Sequence, residues 1–314
     1  MLSRREQSRM AAEQVRGRSD TCRPQRRSKK NDNSKMQHGK ERKIVLVPNG
    51  GLANRMRAVN SMIEFTETEK IKLHIIWISN RELNAPFAAL FKPLPHTHAT
   101  LAEGGAAASL LYNSPRKSNL YLSAAATRLL FDRRLFWRDV KTAKETGELE
   151  TLLKQPGTTF IESNYDFGNY DDKLAANFKP ANEIEAEVTR FAAQNYAPRT
   201  IGVHIRRTDN IHSIARSPLS FFIDAIQKEL DENPETKFYV ASDDAAEKET
   251  LRKKFGNRII TRDIECRRNK KEGIIRAAED LYLLSRTAKI YGSYYSSFSE
   301  MAAALGGIKL IQPR

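Results

Sequence analysis

Residues 44–65 run IVLVPNGGLANRMRAVNSMIEF, and residues 73–78 run LHIIWI. The first run begins with apolar, largely β-branched residues and stops at a proline, and a glycine-rich turn then leads into a stretch whose apolar residues recur at a helical period. A second strand of buried type follows. This order of strand, turn, helix and strand predicts a βαβ unit and therefore a parallel sheet.

The last third of the chain shows the same alternation. Strands are predicted at 200–205, 237–242, 258–260, 289–293 and 309–312, with helices between them. An amphipathic helix is predicted at 180–194, between the two regular regions. In the less regular middle, strands are predicted at 109–112, 134–140 and 158–163, and helices near 122–131 and 148–154. We therefore expect an α/β protein with two facing Rossmann-like domains, whose ligand lies beyond the carboxyl ends of parallel strands.

Composition divides the chain into three parts, a basic tail at 1–42, an N-terminal domain at 43–195 and a C-terminal domain at 196–314. The net charge is +15, but residues 1–43 alone carry +9 and the remainder only +6. The tail has few large apolar side chains, so we expect it to be disordered, with either no role or an electrostatic one. The mildly basic folded part suits a small anionic ligand as well as it suits RNA.

Two features bear on the compartment. The chain has only two cysteines, Cys22 and Cys266, which excludes a disulfide scaffold and favours a reducing environment. No apolar run approaches the roughly 20 residues of a membrane span, and the first residues lack the apolar core of a signal peptide. We expect a cytoplasmic protein, with the basic tail available for peripheral contact with a membrane.

The most informative motif is His204-Ile205-Arg206-Arg207-Thr208-Asp209, which follows directly on a predicted strand. Two adjacent arginines repel each other at such a partly desolvated strand end unless an anion lies between them. A planar guanidinium holds phosphate through two parallel hydrogen bonds, so a diphosphate is the expected ligand. The alternative is a structural network between the arginines and Asp209.

Three more polar segments follow predicted strands, and each has a structural alternative. The glycines of the turn at 50–55 would let a ligand approach the backbone, or form an ordinary turn. The acids at 243–244 could contact ribose, a base or a metal, or cap a helix. Asp280 and the serines at 296–297 could contact a nucleotide, or the serines could cap a helix. His96 and His98, two apart in a predicted loop, are expected to be surface residues.

The order of these segments resembles a known family. HxRRxD, then SDD, then EDLYLLS followed by AKIYGSYYSSFSEMAAAL is similar to the α1,6-/α1,2-/protein O-fucosyltransferase superfamily, nearest its core α1,6 and nodulation types. The resemblance covers 200–305 well and 44–60 weakly. It implies a GT-B fold, with an acceptor-side N-terminal domain and a GDP-fucose-binding C-terminal domain. It also implies inverting transfer of fucose to a glycan hydroxyl, with no metal required.

The resemblance assigns roles to residues that match its motifs. Arg206 would hold the β-phosphate of GDP, Arg207 would orient the motif or assist departure of GDP, and Asp209 completes the catalytic set. The nucleotide-binding residues would be His204, Arg206, Asp244, Asp280, Ser296, Ser297, Gly51 and Asn54. After the motif the sequence departs from the α1,6 enzymes, since Asn210 and Ile214 replace a lysine and a glutamate. The general base is therefore unassigned, with Asp209, Asp166, Glu162 and Glu300 as candidates.

Two other functions are consistent with the sequence. One is a transferase of the same fold that uses another nucleotide sugar, because the motifs do not specify the hexose. The other is a non-catalytic nucleic-acid-binding protein with a basic arm, which would require dispersed basic residues and interleaved aromatics. The small net charge of the folded part and the concentration of arginines at one strand end favour a nucleotide-sugar donor and a glycan acceptor over nucleic acid.

Overall fold

The computed structural model describes residues 40–168, 173–207, 211–262 and 269–314, with backbone alone at 211–213. The predicted tail lies outside the described residues as far as residue 39, as do Asp209, Cys22 and Cys266. The first strand begins at Arg42, one residue before the predicted start of ordered structure. Within these ranges, no helix is long and apolar enough to cross a bilayer.

The N-terminal half is built on a parallel five-stranded sheet. Its strands are β1 (Arg42–Pro48), β2 (Lys72–Ile78), β3 (Ala99–Gly104), β4 (Arg133–Leu135) and β5 (Gly157–Ser163), in the order β3-β2-β1-β5-β4. Its helices are α1 (Leu52–Thr68), α2 (Ala106–Tyr112), α3 (Leu122–Leu130), α4 (Trp137–Glu145), α5 (Leu149–Leu153), α6 (Leu174–Asn177) and α7 (Asn182–Asn195). The helical period predicted for α1 is confirmed, since Met56, Val59, Met62 and Ile63 are fully buried against the sheet.

The C-terminal half repeats this plan. Its strands are β6 (Thr200–Ile205), β7 (Lys237–Ser242), β8 (Ile259–Thr261), β9 (Lys289–Gly292) and β10 (Lys309–Ile311), in the parallel order β10-β9-β6-β7-β8. Its helices are α8 (Ile211–Arg216), α9 (Leu219–Glu232), α10 (Ala245–Phe255), α11 (Lys271–Ser285) and α12 (Ser297–Gly306). The predicted α/β class with two parallel sheets is confirmed, whereas the domain boundary at residue 195 stays a prediction.

Strand order determines where a ligand can enter. In the first sheet the chain proceeds from β1 to β2 and β3 on one side, and β5 lies on the other side of β1. The second sheet has the same reversal at β6, which lies between β7 and β9. Loops leaving the central strand in opposite directions open a crevice at its carboxyl end. Helices α1 and α12, which follow β1 and β9, contact each other through an ion pair between Arg57 and Glu300 at 3.7 Å.

The two predictions that proved wrong lie in the middle of the chain. Residues 109–112 form the end of α2 rather than a strand. The run is short, and its apolar residues fit the period of a helix as well as that of a strand. Three alanines precede it, and their high helix propensity favours the helix. The strand predicted at 134–140 ends at Leu135, and α4 begins at Trp137. The Asp139 carboxylate accepts a hydrogen bond of 2.9 Å from the backbone N–H of Phe136, which starts the helix there.

Candidate functional site

Three strand ends of the second sheet meet at its switch point. Strand β6 ends in the segment 204–207, β7 ends in 242–244, and β9 ends in 293–296. Since β6 lies between the other two, these segments are neighbours along one sheet edge. The sequence-predicted arginines, acids and serines are thus brought to one crevice by the topology.

Asp243 organises the two arginines of the motif. One carboxylate oxygen accepts a hydrogen bond of 2.8 Å from the backbone N–H of Arg207, and the other lies 3.4 Å from Arg206 Nε. Arg207 also forms a hydrogen-bonded ion pair with Glu247 of α10, and its side chain is only 9% exposed. The Arg206 side chain is 19% exposed. A structural arginine–aspartate network therefore exists, with Asp243, and within it Arg206 is the more accessible guanidinium.

His204 is buried beneath Arg206. Its Nδ1 lies 2.7 Å from the Ser299 hydroxyl, and its ring stacks on Phe298 with centroids 4.8 Å apart. Burial, assisted by the positive charge of Arg206 and opposed by Asp243, lowers the pKa of His204 to about 4. The imidazole is therefore neutral at pH 7. It supports the strand end by packing and hydrogen bonding rather than by adding charge.

The depressed pKa of His204 makes stability depend on pH. Its folded-state pKa of about 4 lies below the ordinary value, so its contribution is complete above about pH 6.5 and is lost as the pH falls towards 4. We expect acidification from about pH 7 to about pH 4 to reduce the free energy of unfolding of wild type by about 3 kcal/mol more than that of His204→Asn. Urea unfolding of both proteins at several pH values measures this difference. Parallel pH dependences would contradict the assignment.

The turn after β9 packs closely against β6. The Ser293 hydroxyl accepts a hydrogen bond of 3.0 Å from the backbone N–H of Arg206. Gly292 lets α12 lie against β9, because a Cβ there would be 2.6 Å from the Cβ of Ser299. Tyr295 adopts φ 53°, a left-handed conformation that is strained for a non-glycine residue. Such strain is often found at ligand sites.

The amino end of α12 lies at this crevice and is not capped by a side chain of the described residues. Ser296 occupies the position before the helix, but its side chain makes no capping hydrogen bond within the described chain and instead lies 3.4 Å from His204 Nδ1. The first backbone N–H groups of a helix have no partner inside the helix, and they favour an anion. Side-chain capping, the structural alternative for Ser296, is not observed. Ser297 begins the helix itself.

The two predicted acidic contacts have structural partners. Asp244 accepts a hydrogen bond of 2.8 Å from the backbone N–H of Ala246 and so caps α10. Asp280 accepts one of 2.8 Å from the Tyr239 hydroxyl and lies 3.3 Å from Arg262, at the end of β8. Desolvation raises the pKa of Asp280 despite Arg262. Strand β8 is two strands away from β6, so Asp280 lies beside the arginine site rather than within it. The predicted contacts of both acids with ribose or guanine stay predictions.

A buried arginine that the sequence left without a role holds the turn after β1. Arg55 is fully buried and donates to the carbonyls of Gly50 at 2.9 Å and Ile78 at 2.6 Å, and to Asn80 Oδ1 at 2.9 Å. Desolvation lowers its pKa to about 10, although Glu82 opposes the shift. Gly50 has φ 78°, which only glycine adopts without strain. The turn is therefore rigid before any ligand arrives.

The other residues of this turn face α12. A Cβ on Gly51 would meet nothing within 4 Å, so the backbone there is open to approach. Asn54 accepts a hydrogen bond of 2.9 Å from Arg57, which also pairs with Glu300. The Nε of Arg57 is buried without a hydrogen-bond partner among the described residues. Sequence reasoning missed Arg57, and its position three residues after Asn54 on one helix face was the available signal.

The candidate general bases differ in their surroundings. Asp166 is 2.5 Å from Lys144, and Glu300 pairs with Arg57. Glu162 is 4% exposed, near the carboxyl end of β5, and its two oxygens accept hydrogen bonds from Asn49 Nδ2, at 2.9 Å, and from the Ser114 hydroxyl. These donors are neutral. Within the described chain Glu162 is the candidate base with no ion-pair partner, while Asp209 lies outside it.

A potential metal-binding group lies elsewhere. Glu67, His96 and His98 present ligand atoms within 4.8 Å of one another, and they are the one such group found in the described ranges. Both histidines are partly exposed, in keeping with the predicted surface position, and their ring centroids lie 5.4 Å apart. Glu67 ends α1 and His98 precedes β3, which places the group at the amino edge of the first sheet, opposite the crevice.

The fold has counterparts among solved structures although no sequence family was detected. No protein-family model matches the chain, and no curated protein matches it. NodZ alpha-1,6-fucosyltransferase soaked with GDP-fucose, a protein from Bradyrhizobium, matches with a TM-score of 0.61 and 19% identity over 85% of this chain and 93% of that one. A mutant of Arabidopsis thaliana FUT1 in complex with GDP matches with 0.54 and 16% identity, over 87% and 70%.

POFUT1 in its apo form also matches, with a TM-score of 0.53 and 11% identity over 85% of this chain and 95% of that one. These identities are too low to transfer activity, but the coverage extends over both parallel sheets. Because only 15% of this chain is left uncovered, the likeness includes most of residues 80–195, which the motif resemblance did not cover. The chain therefore has the GT-B fold of the solved fucosyltransferases, as its motifs implied.

Proposed function

We propose that this protein is an inverting glycosyltransferase that moves fucose from GDP-fucose to a hydroxyl group of a glycan. The observation that carries the proposal is the position of Arg206. It lies at the switch point of the second sheet, next to the amino end of α12, which no described side chain caps, in a fold whose solved relatives include structures with GDP and GDP-fucose. Both features favour an anion, and together they match a diphosphate.

Donor binding follows from the contacts at this edge. The carboxylate of Asp243, 3.4 Å from Arg206 Nε, holds the guanidinium in place, so less entropy is lost when phosphate binds. Ser296, Ser297 and the helix N–H groups meet the phosphates from the other side of β6. Neutral His204 supports the floor. Asp244 and Asp280 contact ribose or guanine in this proposal, and Gly51 and Asn54 approach the donor from α1.

Arg206 then stabilises the leaving group. Negative charge builds on the β-phosphate as the bond to fucose breaks, and a fixed guanidinium in a dry crevice is worth several kcal/mol at that point. Arg207, anchored to Glu247, keeps the motif in register. The arginine and the helix terminus supply the positive charge that Mg²⁺ provides in other transferases, so we propose that the reaction requires no metal.

Glu162 is our candidate for the general base. In an inverting reaction the acceptor attacks from the face opposite the departing diphosphate, so the base belongs to the half of the crevice that faces the donor site. Glu162 lies at the carboxyl edge of the first sheet, and neutral hydrogen bonds from Asn49 and Ser114 leave its charge uncompensated. The carboxylate of Asp166, in contrast, is already paired with Lys144.

Thermal shift with nucleotides tests the donor. We expect GDP and GDP-fucose to raise the melting temperature and UDP to have little effect, because the proposed purine contacts add to those of the diphosphate. The readout is the melting temperature at matched nucleotide concentrations, and GDP-mannose is the control for the hexose. Equal stabilisation by UDP would leave only a generic diphosphate site. Stabilisation by a short RNA that vanishes at high salt would instead favour the nucleic-acid-binding alternative.

A further inference from the structure

Exposed apolar side chains are concentrated in one segment of the N-terminal half. Among the described residues, ten large apolar side chains are exposed, and eight of them lie between residues 110 and 137. They are Leu110, Leu111, Leu120, Tyr121, Leu122, Leu129, Leu130 and Trp137, and we call them the leucine surface. Scattered exposed leucines are ordinary, but a cluster of this kind marks an interaction site.

Helix α3 is oriented against the usual rule. Ser123 and Thr127, one turn apart, are completely buried, while Leu129 is 86% exposed. Leu122 and Leu129 lie two turns apart on the same outward face, and Leu130 adjoins them. On the surface of a water-soluble protein, a helix normally buries its leucines and exposes its hydroxyl side chains. The sequence of α3 therefore suits an apolar environment outside the protein.

The turn before α3 is built to display apolar side chains. Leu120 has φ 50° and Tyr121 has φ 55°, both left-handed and strained. Asn119 holds this shape, since its Oδ1 accepts hydrogen bonds from the backbone N–H groups of Arg116 at 2.9 Å and Tyr121 at 3.2 Å. Its amide donates to the carbonyl of Ser114 at 3.0 Å. The turn leaves Leu120 77% exposed.

The same segment accounts for most of the net positive charge of the chain after residue 43. Residues 110–141 contain seven Lys and Arg and two Asp, a net charge of +5, out of +6 for all residues after 43. The exposed basic residues are Arg116, Lys117, Arg128, Arg134, Arg138 and Lys141. Apolar side chains bordered by exposed cations match an anionic lipid surface, where leucines enter the acyl region and basic residues meet the headgroups.

Other occupants fit less well. Residues 1–39 have few large apolar side chains, so the chain's own tail offers little apolar surface to cover the leucines. A second copy related by a two-fold axis would bring two patches of +5 together. We propose that the leucine surface docks the protein on an anionic bilayer.

Docking would place the crevice at the membrane. Ser114, which hydrogen-bonds to Glu162, belongs to the same Asn119-braced loop as Leu120. A bilayer under that loop would present lipid-linked glycans to the first sheet. This last step rests on the proposed function, whereas the docking itself does not.

Sedimentation of the full-length protein with lipid vesicles tests the proposal. One set of vesicles is pure phosphatidylcholine, and the other contains equal parts of phosphatidylcholine and phosphatidylglycerol. We expect binding to the anionic set, weakened by salt, and a loss of about 10-fold or more in Leu120→Ser/Leu129→Ser. The matched control is Ile214→Ser/Tyr295→Ser, which changes the two exposed apolar residues outside the surface. The tail is present throughout, so its charge contributes equally.

Two charge-reversal variants test the electrostatic part of the proposal. Arg128→Glu/Arg138→Glu should lose anionic-vesicle binding, while Lys253→Glu/Lys309→Glu, with the same change of charge elsewhere, should keep it. Urea midpoints equal to that of wild type show that the variants fold. Absence of wild-type binding to anionic vesicles would overturn the proposal. So would equal binding by the two serine variants, or a change from dimer to monomer in Leu120→Ser/Leu129→Ser with vesicle binding unchanged.

Discussion

Replacing Arg206 with alanine is expected to lower kcat/KM for GDP-fucose by about 10²-fold or more, as removal of other single anion-stabilising donors does. The contact strengthens as charge builds on departing GDP, so the loss should fall on kcat and on kcat/KM rather than on KM alone. Arg206→Lys should restore little, because an ammonium cannot reproduce the planar pair of donors. Steady-state kinetics with a soluble acceptor measures each effect.

A matched control separates this loss from a general effect of removing a charge. Arg258→Ala breaks an ion pair with Glu235 at the opposite edge of the same sheet, and kcat/KM should be unchanged. Both variants should have urea midpoints close to that of wild type, since the ion pairs that they break are partly exposed. Full activity of Arg206→Ala would show that the site is misassigned. Reversible loss of turnover in EDTA, with rescue by Mg²⁺, would make Asp243 and Asp244 the leading metal ligands.

The architecture could be predicted from the sequence because, in both halves, the pattern of apolar residues in each segment matches the burial of that segment in the structure. Buried strands such as 200–205 have strong β-branched runs, and their helices have clear apolar faces. The middle is different. Residues 109–112 and 134–140 are short apolar runs that fit the period of a strand as well as that of a helix. The flanking alanines favour a helix in the first run, and the hydrogen bond to Asp139 starts a helix in the second. The resemblance there is detectable only in the fold.

The candidate site could be predicted only at the level of strand ends. Parallel strands bring residues such as Arg206 and Ser296 to one edge, and that follows from topology. Which partner each side chain finds does not. Asp243, expected only as one of two similar acids, orients Arg206, while Asp244 caps α10. The contact between Arg57 and Glu300 joins residues 243 positions apart, and no local pattern encodes it.

The leucine surface could not be predicted from the sequence for a different reason. Periodicity identified the helix near 122–131 but could not tell which face is buried, because an apolar stripe normally indicates the core. Only the structure shows Ser123 and Thr127 inside and Leu129 outside. A departure from the usual pattern of burial is a reason to look for function at that place.

The second large effect concerns Glu162. Glu162→Gln is expected to lower kcat/KM by about 10²- to 10⁴-fold, the usual contribution of a positioned general base. Glutamine keeps an oxygen for Asn49 and offers its amide to Ser114, so the fold and the donor site should remain, as an unchanged GDP-induced thermal shift would show. Steady-state kinetics with a soluble acceptor measures the loss of turnover.

Two further variants test whether another carboxylate, rather than Glu162, is the general base. Asp166→Asn removes a carboxylate of the same half that is already paired with Lys144, and kcat/KM should stay within a few-fold of wild type. Asp209→Asn tests the candidate that lies in the motif on the donor side. If Glu162→Gln is active and Asp209→Asn is not, the base comes from the donor half. The proposal that the first sheet supplies the base would then fail. Another residue would be needed to position the acceptor hydroxyl for attack on the face opposite the leaving diphosphate.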